Sequence, residues 1–129
     1  MQLKLSRVTL FTANMERMVA FYRDVLGFSV TTTVPEQAPF VFVWLQRDDV
    51  NVFLNDAAAV KHETPDAPLT VGQSGVAMFI AMEGIHDLWA QVKDRARVAM
   101  PLKDQWYGMT EFSVVDPDGY VVTFAERKA

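Results

Sequence analysis

The chain contains no cysteine among its 129 residues. This absence excludes disulfide bonds, thiolate metal ligands and cysteine nucleophiles, and it fits a reducing compartment, so we expect a cytoplasmic protein. The chain also lacks any apolar run long enough for a membrane span or for the core of a signal peptide. We therefore expect no membrane partner.

The chain has fewer basic residues than acidic ones. Twelve Lys and Arg residues stand against 16 Asp and Glu residues, which gives a formal net charge of −4. This balance argues against a nucleic-acid partner and suits a neutral or cationic small molecule. The glycines occur singly, so the chain carries neither a phosphate-binding loop nor a dinucleotide-binding fingerprint.

The chain does contain a sequence pattern that recurs after about 70 positions. Residues 5–12 read as a strand and lead into apolar residues at helical spacing, and residues 75–82 lead into a second such set. Each half is too small to fold alone, whereas the whole chain has the length of one domain. The repeat therefore predicts two copies of one unit that face each other across a space suited to a ligand.

The order of predicted elements is βαβββ, a linker, and βαβββ. We predict one domain over 1–129, with module one at about 1–56, an irregular linker at about 57–73 and module two at about 74–129. Asn14 is the predicted N-cap of the first helix and Gly27 its C-terminal glycine. The predicted strands cover residues 4–12, 28–34, 40–46, 50–55, 75–82, 97–102, 109–115 and 119–125.

Two motifs resemble those of the vicinal oxygen chelate superfamily, which includes glyoxalases, extradiol dioxygenases and bleomycin-resistance proteins. The first is Phe21-Tyr22-Arg23-Asp24-Val25-Leu26-Gly27-Phe28, and the second is the turn Asp116-Pro117-Asp118-Gly119. The resemblance covers nearly the whole chain. It implies an α+β fold in which two βαβββ modules form a curved mixed sheet around a cleft, usually completed as a homodimer.

The resemblance also implies where a divalent metal would bind in the enzymes of this superfamily. Their ligands are His, Glu or Gln on the first and fourth strands of each module, and these positions correspond here to Arg7, Asn51, Ala77 and Thr123. Arginine stays protonated and alanine has no donor atom. Asparagine and threonine alone make a poor metal site. We therefore expect no metal and no cofactor, as in the bleomycin-resistance branch.

Strand alternation places many aromatic residues on the same face as those four positions. The predicted ligand-binding residues are Arg7, Phe11, Phe42, Trp44, Asn51, Phe53, Phe79, Trp106, Tyr107 and Thr123. A mostly apolar wall with a few polar points is typical of a small-molecule pocket. The alternative is that the aromatic residues fill a core or a dimer interface. Trp106 and Tyr107 either stack on a ligand or anchor their own loop.

Two functions stay open at this point, and we favour the first. It is a binding protein that sequesters a planar or aromatic compound, such as an antibiotic, without making or breaking a bond. The second is a lyase, isomerase or dioxygenase-type enzyme in which Arg7 stabilises an oxyanion. Arg7 needs either a ligand anion or an internal partner such as Glu111. The linker is long enough for the modules to pair within one chain or across a homodimer.

Overall fold

The computed structural model describes residues 1–72 and 76–129. The elements in these ranges are β1 (Val8–Thr12), α1 (Met15–Ala20) with a π-helical continuation (Phe21–Val25), β2 (Ser29–Val34), β3 (Phe42–Arg47), β4 (Val50–Asp56), α2 (Ala57–Glu63), β5 (Ala77–Ala81), α3 (Ile85–Val92), β6 (Arg97–Asp104), β7 (Met109–Val115) and β8 (Val121–Arg127). None of the helices in these ranges is long and apolar enough to cross a membrane.

The strands form two mixed sheets of four strands each. The first sheet has the order β1-β4-β3-β2 and the second has the order β5-β8-β7-β6. In each sheet the first and fourth strands of the module are parallel, and the other neighbours are antiparallel. The predicted α+β class with two βαβββ modules is therefore confirmed.

Side-chain alternation gives each sheet one face that is buried beneath the helices. In the first module this face contributes Leu10, Val43, Leu45, Val52 and Leu54, and the helix contributes Met15, Met18, Val19, Tyr22 and Leu26. In the second module it contributes Ile80, Phe112, Val114, Val122 and Phe124, and α3 contributes Ile85, Leu88 and Val92. Full burial of one such side chain stabilises the fold by about 1.5–3 kcal/mol. The opposite face of each sheet, called the inner face below, is left without a helix.

The first helix begins and ends where its terminal residues predict. The Asn14 Oδ1 atom accepts a hydrogen bond from the Arg17 backbone N–H at 3.1 Å, which satisfies one of the free amides of the first turn. Gly27 has a φ of +75°, a value that side chains disfavour. A Cβ atom at this position would also lie 2.8 Å from the Arg47 Nη1 atom. That atom donates a hydrogen bond to the Leu26 carbonyl at 2.8 Å, so a side chain at position 27 would displace the Arg47 guanidinium in addition to straining the backbone.

Two sequence predictions need correction. The first strand begins at Val8, so Arg7 immediately precedes β1. The predicted irregular linker contains α2, because the Asp56 Oδ2 atom accepts a hydrogen bond from the Ala59 N–H at 2.9 Å and caps a run of three alanines. Three predicted boundaries lie outside the described residues: the end of the linker at residue 73, the start of module two at residue 74 and the start of a strand at Gly75.

A buried hydrogen bond joins the two modules. The Tyr22 hydroxyl donates to the Asp116 Oδ2 atom at 2.8 Å, and the Asp116 Oδ1 atom accepts from the backbone N–H groups of Asp118 and Tyr120, each at 3.0 Å. Burial raises the pKa of the Asp116 carboxyl, although the three hydrogen bonds oppose this shift. Burial, together with the Asp116 charge, also raises the pKa of Tyr22. Tyr22 is therefore a neutral donor at ordinary pH.

The predicted turn at residues 116–119 is formed and makes further contacts with the first module. Gly119 has a φ of +94°, and its N–H donates to the Asp116 carbonyl at 2.9 Å, as expected of this turn. The Tyr120 hydroxyl donates to the Phe11 carbonyl at 2.8 Å. Arg17 Nη2 donates to the Pro117 carbonyl at 3.1 Å. The turn therefore fixes the second module against both β1 and α1.

The Tyr22→Phe variant tests the contribution of this joint to stability. We expect it to lower the free energy of unfolding by about 1–3 kcal/mol, because the Asp116 Oδ2 atom stays buried without a donor. Urea unfolding followed by circular dichroism measures the change. The control is Arg23→Gln, which removes an exposed ion pair from the same helix and should not alter stability. A Tyr22→Phe midpoint equal to that of the control would contradict the assignment.

Candidate functional site

Three aromatic rings contact one another on the inner face of the first sheet. The strand register places Phe53 of β4 between Thr9 of β1 and Trp44 of β3. The Phe53 ring centre lies 5.1 Å from that of Phe42 and 5.5 Å from that of Trp44, and both pairs meet edge to face. This is a favourable geometry for aromatic pairs. We call Phe42, Trp44 and Phe53 the aromatic platform.

Two polar predicted residues contact the platform. The Trp44 Nε1–H donates to the Asn51 Oδ1 atom at 2.7 Å, which fixes the indole orientation. The Arg7 Cζ atom lies 4.7 Å from the Trp44 ring centre and 5.4 Å from that of Phe53. These distances are typical of cation–π contacts. Within the part of the chain that the structure describes, Arg7 makes no ion pair with Glu111 or with any other carboxylate.

Phe11 lies on the same inner face, beside the platform. It belongs to β1 two positions after Thr9, and its register partner on β4 is Asn55. Asn55 in turn is the register partner of Phe42 on β3. The first sheet therefore brings together six of the predicted residues: Arg7, Phe11, Phe42, Trp44, Asn51 and Phe53.

Phe79 and Thr123 lie together on the inner face of the second sheet. They are register partners on β5 and β8, and Thr123 is the register partner of Ser113 on β7. The Ser113 and Thr123 hydroxyl oxygens are 2.7 Å apart and share a hydrogen bond. Phe79 is 60% exposed, so this face is open to solvent in the single chain.

Trp106 and Tyr107 lie in the loop between β6 and β7. Their ring centres are 5.3 Å apart, and Trp106 is 93% exposed. The Tyr107 hydroxyl donates to the Glu111 Oε1 atom at 2.7 Å, and this hydrogen bond raises the pKa of Tyr107. Tyr107 thus anchors its loop in the free chain, whereas Trp106 extends into solvent.

The single chain holds these residues in two separate groups. Among the described residues, no hydrogen bond, ion pair or aromatic contact joins a side chain of one inner face to a side chain of the other. A crevice of about 510 Å³ lies between the Arg47–Val50 turn and β5, and it contains none of the ten predicted residues. The predicted residues therefore do not line one closed pocket in the single chain.

The strand register corrects one of the four positions assigned to metal ligands. In the first module, Thr9 of β1 is the register partner of Phe53 of β4. In the second module, Phe79 of β5 is the register partner of Thr123 of β8. The repeat of about 70 residues relates Thr9 to Phe79. The counterpart of Thr123 in the first module is therefore Phe53 and not Asn51. The assignment of Asn51 fails because strand register is set by the pairing between strands, which the sequence repeat alone does not reveal.

The side chains at these positions do not fit a divalent metal ion. They are the guanidinium of Arg7, the ring of Phe53, the methyl group of Ala77 and the hydroxyl of Thr123, which is already bonded to Ser113. Metal sites in proteins need several carboxylate, imidazole or thiolate donors. No group of three His, Cys, Asp or Glu residues in the described ranges is arranged to hold a metal.

Sequence reasoning missed the environment of Glu111. Phe112 is fully buried on the helix side of β7, so Glu111 and Ser113 lie on the inner face by alternation. Glu111 is only 4% exposed because the Tyr107 loop reaches over it. The alternation was visible in the sequence. The covering loop was not, because its path depends on a contact between the loop and the sheet.

The family described as the glyoxalase/bleomycin resistance protein/dioxygenase superfamily matches residues 4–124. A bleomycin resistance protein from Geobacillus stearothermophilus is 26% identical over 122 residues, which cover 88% of this chain and 89% of that protein. The similarity thus extends over both modules.

Solved structures show the same fold. A protein of unknown function from Agrobacterium tumefaciens superposes with a TM-score of 0.81 at 16% identity, and the match covers 98% of this chain and 95% of that one. An antibiotic binding protein from Streptomyces, TnmS3, superposes with a TM-score of 0.75 at 17% identity, with 99% of each chain covered.

The Asn51→Leu variant tests the geometry of the platform. Loss of the acceptor should move the Trp44 indole N–H resonance upfield, because hydrogen bonding deshields this proton. The indole resonances of Trp89 and Trp106 should stay in place. Proton–nitrogen correlation spectra measure all three. Asn55→Leu is the matched control, since Asn55 lies on the same face without a bond to Trp44. An unmoved Trp44 resonance in Asn51→Leu would refute the contact.

Proposed function

The chain belongs to the glyoxalase/bleomycin resistance protein/dioxygenase superfamily, and on this premise we propose that it is a metal-independent binding protein for a planar or aromatic compound such as an antibiotic. The aromatic platform carries the proposal, because aromatic and cationic groups occupy the first-sheet positions that metal ligands occupy in the enzymes. The similarity to a bleomycin resistance protein supports it, as does the shared fold with an antibiotic binding protein.

The platform has the physical properties that a flat ligand requires. The contacts among Phe42, Trp44 and Phe53 hold the rings before a ligand arrives, so little side-chain entropy is lost on binding. Stacking of a ligand ring on such a surface contributes about 0.5–1.5 kcal/mol beyond the burial of apolar area. The Arg7 guanidinium, a flat group itself, already lies over Trp44. It can also pair with a carbonyl or acidic group of the ligand.

The enzyme alternative has less support on the first inner face. If Arg7 stabilised an oxyanion, a proton acceptor would have to lie beside it. The described strands of this sheet present Thr9, Asn51 and Asn55 on the inner face, and they present no carboxylate or imidazole there. Reversible binding requires no such group, so sequestration is the function we propose.

We further propose that two copies of the chain complete the cleft. The first inner face leaves Thr9 exposed, and the second leaves Ala77 and Phe79 exposed. A two-fold axis would place the first sheet of one copy over the second sheet of the other and so form two equal clefts. The ten predicted ligand-binding residues would then meet across the interface. We place this dimer in the cytosol, where a chain without cysteine needs no oxidising environment.

Binding is tested by titrating the metal-free protein, in the presence of a chelator, with a panel of aromatic antibiotics that includes bleomycin. We expect saturable quenching of tryptophan fluorescence by at least one compound. Trp44→Ala should weaken that binding about tenfold, because it removes the central ring of the platform. Val41→Ala, at an exposed valine next to β3, should bind normally. The proposal would be contradicted if no compound of the panel quenched the fluorescence, or if binding occurred only without the chelator.

The dimer is tested by sedimentation velocity at micromolar concentration. We expect a species of twice the chain mass of 14.6 kDa. Phe79→Glu should shift the population towards the single chain, because it places a charge in the apolar region between the faces. Val41→Glu makes the same kind of change at an exposed valine outside the inner faces and should stay dimeric. A native protein that sediments as a single chain would overturn this arrangement.

A further inference from the structure

Glu111 is a buried carboxylate that has an unused acceptor atom. Its Oε1 atom accepts from the Tyr107 hydroxyl at 2.7 Å and, at a long 3.5 Å, from the Gln105 side-chain amide. Its Oε2 atom is buried and has no hydrogen-bond partner among the residues that the structure describes. An ionised carboxylate accepts about four hydrogen bonds, and burial without them is unfavourable. The Oε2 atom can therefore accept further hydrogen bonds.

No basic side chain within residues 1–72 and 76–129 forms an ion pair with Glu111. Lys103 is the register partner of Glu111 on β6, yet it forms no ion pair with Glu111 in the described ranges and is exposed. Arg7 lies on the other inner face, where it stacks on Trp44. The unused oxygen is thus available to a group from outside the chain.

A hollow lies next to the strand neighbours of Glu111, although Glu111 itself does not line it. The register partner of Glu111 on β8 is Ala125, and the partner of Ala125 on β5 is Ala81. These two small residues, together with Met109, line this hollow of about 490 Å³. Glu83, Glu126 and Arg127 also border this hollow and give it a formal charge of −1, although the Glu126 oxygens already accept hydrogen bonds from the backbone N–H groups of Gly84 and Ile85. A cationic group would be favoured in such surroundings.

The groups that cover Glu111 come from a surface loop. Tyr107 and Gln105 belong to the segment between β6 and β7, and Tyr107 is 49% exposed. Gly108 ends this segment with a φ of +87°. Rotation of the Tyr107 and Gln105 side chains would therefore uncover the carboxylate without any change in the sheet.

We propose that Glu111 recognises a protonated amine or amidinium group of the ligand. This inference rests on the proposed binding function and deepens it, because it assigns a positive charge to the aromatic compound. Nitrogen cations donate short, charge-assisted hydrogen bonds to carboxylates. The ligand cation would fill the unused Oε2 acceptor, while the ligand ring stacks on the aromatic platform of the facing sheet.

The test compares the affinities of the protein for three flat probes that have the same number of rings, measured by isothermal titration calorimetry at about pH 8. At this pH aminoacridine is a cation, acridine is neutral and anthracene carboxylate is an anion. The native protein should bind aminoacridine about tenfold more tightly than acridine, since one charge-assisted hydrogen bond is gained. Anthracene carboxylate should bind most weakly. Glu111→Gln should bring aminoacridine to the affinity of acridine and leave acridine unchanged, which also shows that the variant is folded.

The matched control is Glu36→Gln, which removes the same charge from an exposed turn and should retain the tenfold preference. Tyr107→Phe removes the internal donor to Glu111, so the preference should persist or increase. Equal binding of aminoacridine and acridine by the native protein, or an unchanged preference in Glu111→Gln, overturns the role of Glu111 and leaves the binding function standing. Tighter binding of anthracene carboxylate than of aminoacridine also overturns the role of Glu111, and it indicates that Arg7 recognises the charged group of the ligand. Absence of binding by all three probes rejects both proposals.

Discussion

The hydrogen bond between the Tyr22 hydroxyl and the Asp116 carboxylate is the contact on which the relation of the two modules depends. It is buried, and the turn that carries Asp116 also binds the Phe11 carbonyl through Tyr120. The segment after α2 meets the same turn, because Gly72 packs against the Asp118 carbonyl so closely that no side chain would fit. These contacts use no side chain of the inner faces. The modules are thereby fixed to each other while both inner faces stay free to bind.

The two inner faces differ in chemistry although they derive from one repeated unit. The first presents rings and a cation, with Trp44 at its centre and Arg7 stacked on it. The second presents a hydroxyl pair and the buried carboxylate of Glu111. Faces of unlike character are suited to oppose each other across a ligand, since one can stack on a ring while the other binds a charged substituent. Under the proposed function, the groups at these positions would favour recognition of a ligand over metal-dependent chemistry.

Local features of this chain could be predicted from the sequence, whereas features set by pairing could not. The cap at Asn14 and the glycine at Gly27 depend on a few neighbouring residues, and both are formed. The helix α2 was missed because its signal, Asp56 before three alanines, is short and precedes a segment rich in proline. The counterpart of Thr123 was misassigned because strand register is set by partners distant in the chain. The covering of Glu111 depends in the same way on how a loop folds back over the sheet.

A crystal structure of the protein with a bound aromatic antibiotic tests the central claim most directly. The claim is that the inner faces bind a flat compound without a metal. The predicted result is a compound whose ring stacks on Trp44 and Phe53, enclosed by the second sheet of a partner copy, with no metal ion among Arg7, Phe53, Ala77 and Thr123. A metal ion bound at these positions would contradict the account. A compound held in the crevice beside Arg47 instead of on the platform would contradict it as well.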